Sequence, residues 1–211
     1  MLNAIKNNAL ILVIFACAST GLVAVTNLAT KNTIAEQQQK QLLRVLNQVI
    51  PTRMHDNNLY EACTLVSDPL LGNTEPQPAY LASLNGSPTA IAVEAIAPDG
   101  YNGTIRVLVA SDMNGNILGT RVLSHQETPG LGDKIDLRIS DWILGFAGQT
   151  VTDSNLEDWK VRKDGGKFDQ FTGATITPRA VVSAVKNATL YLNQNRDKLF
   201  AQPANCGAHN D

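Results

Sequence analysis

The sequence predicts an α+β protein in which one apolar N-terminal helix precedes a single domain with an antiparallel sheet and packed helices. Three observations predict this class. Residues 1–29 contain one charged side chain, Lys6. Residues 89–97 are apolar with only Glu94 charged, residues 104–110 alternate apolar and polar side chains as strands do, and residues 177–192 repeat apolar side chains at helical spacing. Strands followed by helices, without β–α–β alternation, favour an α+β domain over a parallel sheet.

Composition excludes several classes of protein. The chain has 211 residues, 17% of them charged, and a formal net charge of −2, which lacks the basic excess of a nucleic-acid-binding protein. It is too apolar for general disorder and has too few long apolar stretches for a multi-span membrane protein. The three histidines and three cysteines show no spacing typical of metal ligands. We therefore predict no metal site.

Residues 9–29 form an uncharged stretch that we expect to be a single transmembrane helix. A helix of this length reaches about 31 Å, close to the thickness of the hydrocarbon core. A cleaved signal peptide, or a lipoprotein signal at Cys17, is the alternative, although the apolar part of a signal peptide normally has about 7–15 residues. The lysines on the two sides of the stretch are too evenly distributed to orient it.

Residues 30–88 are predicted to be a juxtamembrane helix and a connecting segment. Thr33 and Glu36 have the spacing of a capping box and Pro51 is a stop signal, so the helix either covers 33–50 or continues the anchor helix. Four prolines between residues 67 and 88 predict a loop around a short strand at 79–84.

The domain is expected at residues 89–200, followed by a tail at 201–211. Strands are predicted at 89–97, 104–110, 117–124 and 159–161. A short amphipathic helix is predicted at 141–147, and Asp112–Asn116 is a tight turn between two of the strands. The last helix is predicted to have Thr177 as its N-cap and Pro178 at its first position.

Two loops carry more functional residue types than turns require. The first, residues 125–134, brings the carboxylate of Glu127, the hydroxyl of Thr128 and the amine of Lys134 close together on a glycine- and proline-containing backbone. Such a loop can clamp a planar polar ligand. The alternative is an ordinary turn with a solvated charge pair.

The second loop, residues 169–178, leads into the last helix. Gly173 allows a ligand to approach the backbone, and Thr175 and Thr177 bracket the start of the helix. The first amides of a helix lack intrahelical partners and carry the positive end of its dipole, so this position suits a phosphate. The alternative is that Thr177 only caps the helix and Thr175 is a turn residue.

These loops carry a family resemblance. Residues 169–175, DQFTGAT, resemble the D-x-x-[S/T]-G-A-T signature of the FMN-binding domain family, and residues 125–132, HQETPGLG, resemble its H-x-E-T-P-G-x-G loop. Tyr101-Asn-Gly103 and the hairpin after it also match, so that the resemblance covers about residues 89–192. It implies that Thr175 accepts FMN through a phosphoester bond, transferred from FAD by a separate magnesium-dependent flavin transferase. Thr175 would then be a modification site rather than a catalytic nucleophile.

The resemblance also implies roles for neighbouring residues. Glu127, Thr128 and Leu131 would contact the isoalloxazine ring or the ribityl chain, Lys134 would oppose the phosphate, and Asp169 would orient its loop or be read by the transferase. The expected cofactor-binding residues are Thr175, Asp169, Thr172, Gly173, Ala174, Thr177, Glu127, Thr128, Leu131 and Lys134.

The anchor, the chain length and the position of the domain are similar to those of flavin-carrying subunits of Rnf-type complexes, which couple electron transfer to Na⁺ or H⁺ translocation. This resemblance implies an electron carrier in the bacterial inner membrane whose partners are flavin and iron–sulfur subunits. Residues 1–8 would be cytoplasmic and the domain periplasmic. An oxidising periplasm would favour a Cys63–Cys206 disulfide, and two unrelated thiols are the alternative.

Two rival interpretations remain. The C subunit of the Na⁺-translocating NADH:quinone oxidoreductase shares the FMN-binding domain, but it is a longer chain with extra sequence between anchor and domain. A membrane-anchored scaffold or ligand-binding protein without covalent flavin is the rival from a different functional class.

Overall fold

The N-terminal helix, α1, spans Leu2–Val49 as one continuous element in the computed structural model, which describes residues 2–206. Its most apolar 18 residues have a mean hydropathy of 2.4, so the helix is long and apolar enough to cross a membrane. The hydroxyls of Ser19 and Thr26 donate to backbone carbonyls of the preceding turn. Large apolar side chains in this region are exposed, as Phe15 is at 73%, which suits contact with lipid.

The predicted helix start at Thr33 is wrong, and the alternative of a helix that continues the anchor is confirmed. Because α1 is helical on both sides of Thr33, the amides there bond within the helix and need no cap. Glu36 pairs instead with Lys40, one turn along, at 2.7 Å. The helix ends before Pro51, as predicted.

The chain divides between Leu42 and Leu43 into two compact units. The second unit contains a five-stranded sheet in which every neighbouring pair is antiparallel and the strand order follows the sequence. The strands are β1 (Cys63–Asp68), β2 (Asn73–Leu84), β3 (Ser87–Ala97), β4 (Ile105–Asp112) and β5 (Ile117–Ser124). The last three confirm the strands predicted between residues 89 and 124.

The short strand predicted at 79–84 is confirmed as part of β2, but the loop predicted around it is wrong, because β2 begins at Asn73 and β3 at Ser87. Pro78 pairs with Leu65 of β1, and the pairing of β2 with β3 begins only at Ala79. The proline-containing half of β2 therefore has a single neighbouring strand, and a missing amide hydrogen is tolerated there as it is in an edge strand. The strand predicted at 159–161 is also wrong, since only an isolated bridge joins Val161 to Phe168.

The C-terminal helix, α2, spans Ile176–Ala201 and packs against β3 and β4. The buried apolar side chains at the centre of this core are Ile91, Val93, Val107, Val109, Val181, Val185 and Leu192. The predicted N-cap is wrong: Thr175 is the N-cap residue, and the hydroxyl of Thr177 donates to Glu127 instead. Pro178 is tolerated at the third helical position because the first four amides of a helix have no intrahelical partner.

The end of α1 belongs to the same unit as the sheet. Leu46 and Val49 are fully buried. Gly119 of β5 lies so close that an added Cβ would be 3.0 Å from the Cα of Val49, and Arg121 donates to Gln48 at 3.1 Å. The remaining helical elements are 3₁₀ turns at Thr52–Met54, Pro69–Leu71, Gly132–Ile135, Asp141–Phe146, Asp153–Asp158 and Arg162–Asp164. The short helix predicted at 141–147 is thus present, as a 3₁₀ helix.

Candidate functional site

A cavity of about 250 Å³ lies where the two predicted loops meet, beside the start of α2. It is lined by Tyr101, Glu127, Thr128, Leu131, Gly132, Gly173, Ala174, Thr175, Ile176 and Thr177. The fold therefore brings together the segment before β4, the loop after β5 and the loop before α2.

The loop after β5 is shaped by hydrogen bonds of its own residues. The backbone amide of Glu127 donates to Nδ1 of His125 at 3.2 Å, and the amide of Leu131 donates to the carbonyl of Thr128 at 3.1 Å. Gly130 has a φ of +78°, which a glycine adopts without strain. The loop thus presents Glu127 and Thr128 to the cavity from a fixed backbone.

His125 is held from its other side by Asp136. Nε2 of His125 lies 3.7 Å from Oδ2 of Asp136, and Nε of Arg138 donates to the same carboxylate at 3.0 Å. The hydrogen bonds from Arg138 lower the pKa of Asp136, which is therefore ionised at neutral pH. A chain of polar contacts runs from Arg138 through Asp136 and His125 to the backbone of Glu127.

Glu127 links all three segments around the cavity. Its side chain is buried, and its carboxylate accepts from the backbone amide of Asn102 at 3.1 Å and from the hydroxyl of Thr177. Two glycines leave room for this carboxylate: an added Cβ would lie 3.0 Å from Oε1 at Gly100 and 2.7 Å from Oε2 at Gly132. Glu127 therefore holds the three segments together and also faces the cavity.

Thr175 is the N-cap residue of α2 and lines the cavity with a half-buried side chain. No hydrogen bond within residues 2–206 involves its hydroxyl, whereas the hydroxyl of Thr177 is committed to Glu127. The free amides of the first turn and the dipole of a 26-residue helix point positive charge toward this position. Gly173, with a φ of +81°, turns the backbone just before it. This geometry fits a phosphate next to the Thr175 hydroxyl.

The rim of the cavity is apolar and exposed. Tyr101, Leu131 and Ile176 are 68%, 42% and 45% exposed. The cavity is smaller than the roughly 300–1,000 Å³ of sites that enclose drug-sized ligands. A planar ligand larger than the cavity would therefore lie partly outside it, against these three side chains.

Seven of the predicted cofactor-binding residues line the cavity and three do not. The lining residues are Glu127, Thr128, Leu131, Gly173, Ala174, Thr175 and Thr177; the other three are Asp169, Thr172 and Lys134. Sequence reasoning missed Tyr101, Gly132 and Ile176 as members of the site. Tyr101 and Gly132 lie inside the motifs that resemble the FMN-binding domain family. Their place in those motifs could have identified them as members of the site.

Asp169 lies at the surface on a loop held by the aromatic core. Its carboxylate pairs with Arg162 at 3.1 Å, and its carbonyl accepts from the indole nitrogen of Trp142 at 2.8 Å. Trp142 makes edge-on contacts with Phe146 and Phe171, with ring centroids 5.3 Å and 5.2 Å apart. Trp142 therefore supports this loop from the core and does not line the cavity.

Comparison with known proteins identifies the family. Residues 1–49 match the family model described as the RnfG N-terminal region, and residues 100–189 match the FMN-binding domain. The chain is 70% identical over 207 residues to the G subunit of the ion-translocating oxidoreductase complex of Vibrio atlanticus, covering 98% of this chain and 99% of the relative. The chain belongs to the RnfG family. Relatives of the same name from Vibrio parahaemolyticus and Aliivibrio fischeri are 64% and 55% identical, over 100% and 98% of this chain and 100% and 99% of their own lengths.

The match places the cavity inside the FMN-binding domain of an RnfG family member. All ten lining residues fall within the matched range, residues 100–189. Their chemistry fits FMN, because a helix N-terminus beside a free hydroxyl suits the phosphate and an apolar rim suits the isoalloxazine ring.

The structure also brings Cys63 and Cys206 together. Their Cα atoms are 5.6 Å apart, within the usual range for a disulfide, although 143 positions separate them in the sequence. Asn205 ties the same segment to β1 by donating to the carbonyl of Cys63 at 2.9 Å and accepting from the amide of Leu65 at 2.7 Å. Of the predicted tail, the structure describes the residues up to Cys206; residues 207–211 lie outside the described range.

Proposed function

We propose that this chain is the electron-transferring flavin subunit of an Rnf-type ion-translocating oxidoreductase, with FMN esterified to Thr175. The observation that carries the proposal is the unpaired hydroxyl of Thr175, at the N-cap of α2 and in the cavity of the FMN-binding domain. The names of the relatives support the assignment to such a complex. When bound, FMN supplies the one- and two-electron chemistry, and the protein supplies position and electrostatics.

Two threonines at the start of α2 are candidates for the ester, and their environments differ. Thr177 is 1% exposed and donates its hydroxyl hydrogen to Glu127. Thr175 is half-buried, faces the cavity and has no hydrogen-bonding partner for its hydroxyl within residues 2–206. A threonine hydroxyl is a weak nucleophile without an adjacent base, which supports attachment by a separate flavin transferase.

The charges around the cavity favour covalent over reversible binding. Within residues 2–206 no lysine or arginine lines it, and Glu127 contributes the one carboxylate among the lining residues described. The phosphate would therefore be held by the amides at the start of α2 rather than by ion pairs. An ester bond at Thr175 compensates for the missing cation. Lys134 remains a predicted phosphate contact on which this proposal does not rest.

The residues around the ring would leave one edge of the flavin accessible. Leu131 and Ile176 would pack on the apolar part of the ring system and exclude water there, while Thr128 offers a hydroxyl from the cavity wall. An exposed edge is what exchange with flavin and iron–sulfur partners requires. The uncharged residues 9–29 offer no path for an ion, so Na⁺ or H⁺ translocation would belong to partner subunits.

The remaining parts of the proposal concern location. We infer that α1 anchors the chain in the bacterial inner membrane with residues 1–8 in the cytoplasm and the domain in the periplasm. The candidate span within Ile5–Val49 and the family membership support the membrane anchor. A protease-protection measurement on intact spheroplasts tests the orientation, since a periplasmic domain is digested without lysis of the cells.

In-gel ultraviolet fluorescence of the denatured full chain tests the covalent flavin. Co-expression with a flavin transferase should give a fluorescent band, which Thr175→Ala abolishes and Thr175→Ser restores. Thr177→Ala should keep the band, because its hydroxyl is not the acceptor. A dark wild-type band in the presence of the transferase would support a scaffold or ligand-binding protein instead. Fluorescence that survives Thr175→Ala would move the site to another residue.

A further inference from the structure

Glu127 is a buried carboxylate whose two hydrogen-bond donors are both neutral. Its oxygens accept from the backbone amide of Asn102 and the hydroxyl of Thr177, and its side chain is 5% exposed. Each of the two oxygens therefore has a hydrogen-bonding partner of its own, an arrangement that suits a carboxylate. None of the ion pairs within residues 2–206 includes Glu127.

Glu94 provides a comparison at the same depth. It is 4% exposed and accepts from the hydroxyl of Tyr80 at 2.9 Å, but it is also paired with the guanidinium group of Arg106. The negative charge of Glu94 is therefore neutralised locally. Glu127 has no such ion pair within residues 2–206, so its charge is not neutralised in this way.

Glu127 lies in the wall of the confined cavity. The residue lines the same cavity as Thr175, and Gly100 and Gly132 pack so closely against its oxygens that an added Cβ would lie within 3.0 Å of them. Water is excluded from these sides of the carboxylate, so its charge is screened less than a surface charge would be. The other side chains that line the cavity carry no formal charge at neutral pH.

We propose that Glu127 lowers the reduction potential of the flavin carried by Thr175, acting as a fixed negative charge without an ion-pair partner in the wall of its cavity. This inference rests on the proposed function. Reduction adds two electrons from a partner redox subunit, together with one proton to give an anionic flavin or two protons to give a neutral one. A nearby negative charge raises the energy of the anionic product, and the neutral product requires a second proton. Glu127 therefore disfavours reduction at a pH where the anion forms.

Spectroelectrochemical titration of the full-length flavinylated chain in detergent tests this role. Glu127→Gln removes the charge and keeps the shape, and its midpoint potential should shift upward from that of the wild type. Glu94→Gln is the matched control, because it makes the same substitution at a carboxylate of similar burial that does not line the cavity. Its potential should not shift upward. An unchanged potential in Glu127→Gln, or an equal upward shift in both variants, would overturn the proposal.

A second pair of variants keeps the test valid if Glu127→Gln fails to fold. Leu131 is 42% exposed and lines the cavity, so Leu131→Lys introduces a positive charge without a burial cost and Leu131→Gln is its neutral counterpart. The lysine variant should titrate at a higher potential than the glutamine variant, and equal potentials would contradict the proposal. Denatured-gel fluorescence is recorded for every sample. A wild-type chain without covalent flavin refutes the proposed function, whereas a flavinylated set with equal potentials refutes only the role of Glu127.

Discussion

Thr177 donates its hydroxyl hydrogen to Oε2 of Glu127 across a separation of 50 residues. Both side chains are buried, at 1% and 5% exposure, so water does not replace this bond when it is lost. The bond ties the start of α2 to the loop after β5. The two sequence motifs of the FMN-binding domain are therefore one structural unit around the cavity.

Thr177→Val should destabilise the protein. Valine keeps the shape of threonine but leaves one oxygen of a buried carboxylate without a donor, and hydrogen bonds to charged groups contribute about 1.5–3 kcal/mol. We expect the free energy of unfolding to fall by about that amount in chemical denaturation of the full chain in detergent. Thr172→Val, at an exposed position of the same loop, is the control and should stay within about 0.5 kcal/mol of the wild type. Equal stability of the Thr177 variant and the wild type would show that the bond contributes nothing.

Gly132→Ala should disturb the same contact from the opposite side. The added Cβ would lie 2.7 Å from both Oε2 of Glu127 and Oγ1 of Thr177. Overpacking of this kind costs about 1–3 kcal/mol, and the displaced loop should also lower the amount of covalent flavin per mole of chain. Gly145→Ala is the matched control, because no atom lies within 4 Å of its added Cβ. Wild-type stability and flavin content in Gly132→Ala would mean that the loop accommodates the added methyl group without a loss of free energy of unfolding.

The sequence allowed the second half of the fold to be predicted better than the first. Strands β3 to β5 were predictable because β3 is a mostly apolar run, β4 has apolar side chains at alternate positions, and a clear turn signal separates β4 from β5. Strand β1 was not predicted, and of β2 only residues 79–84 were, because Pro76 and Pro78 indicate a loop over its first half. Whether a strand tolerates proline depends on whether a second strand pairs beside it, and that pairing is set by tertiary structure.

The composition of the site was predictable from its motifs, but its internal contacts were not. The order and spacing of the motifs indicated that Glu127 and Thr175 belong to one site. The spacing also suggested that Thr177 caps α2, because a threonine before a proline at a helix start is typical of a cap. The hydroxyl of Thr177 instead donates to Glu127, 50 residues away in the sequence, and a local sequence pattern cannot predict such a contact.

Asp136→Asn should reduce stability in a pH-dependent way. The pKa of Asp136 is lowered, chiefly by its hydrogen bonds from Arg138. A carboxyl group with a depressed pKa in the folded state stabilises the fold above its unfolded pKa of about 3.9, and this contribution disappears as the pH falls through the folded value. The variant should therefore be less stable than the wild type at pH 7, and the difference should vanish in strongly acidic solution.

Denaturation curves at several pH values from 7 down to strongly acidic solution, about pH 2, measure this difference. Arg138→Met removes the main cause of the lowered pKa and should reproduce the same loss over the same pH range. The two substitutions together should cost little more than either alone, since they remove one interaction. A stability difference that is constant over the whole pH range would exclude ionisation of Asp136 as its cause.

The Cys63–Cys206 bridge that we propose should contribute strongly to stability. It would close a loop spanning 143 positions, and the chain-entropy model gives about 4.7 kcal/mol for a loop of 100 residues. Cys206→Ser should therefore lower the free energy of unfolding by about 4–5 kcal/mol, whereas Cys17→Ser, at an exposed free cysteine of α1, should not. A thiol reagent added to the denatured, unreduced chain should find one of its three cysteines free. Three reactive thiols in the full-length chain purified from the membrane without reductant would contradict the bridge, and the hydrogen bonds of Asn205 would then be what holds this segment on β1.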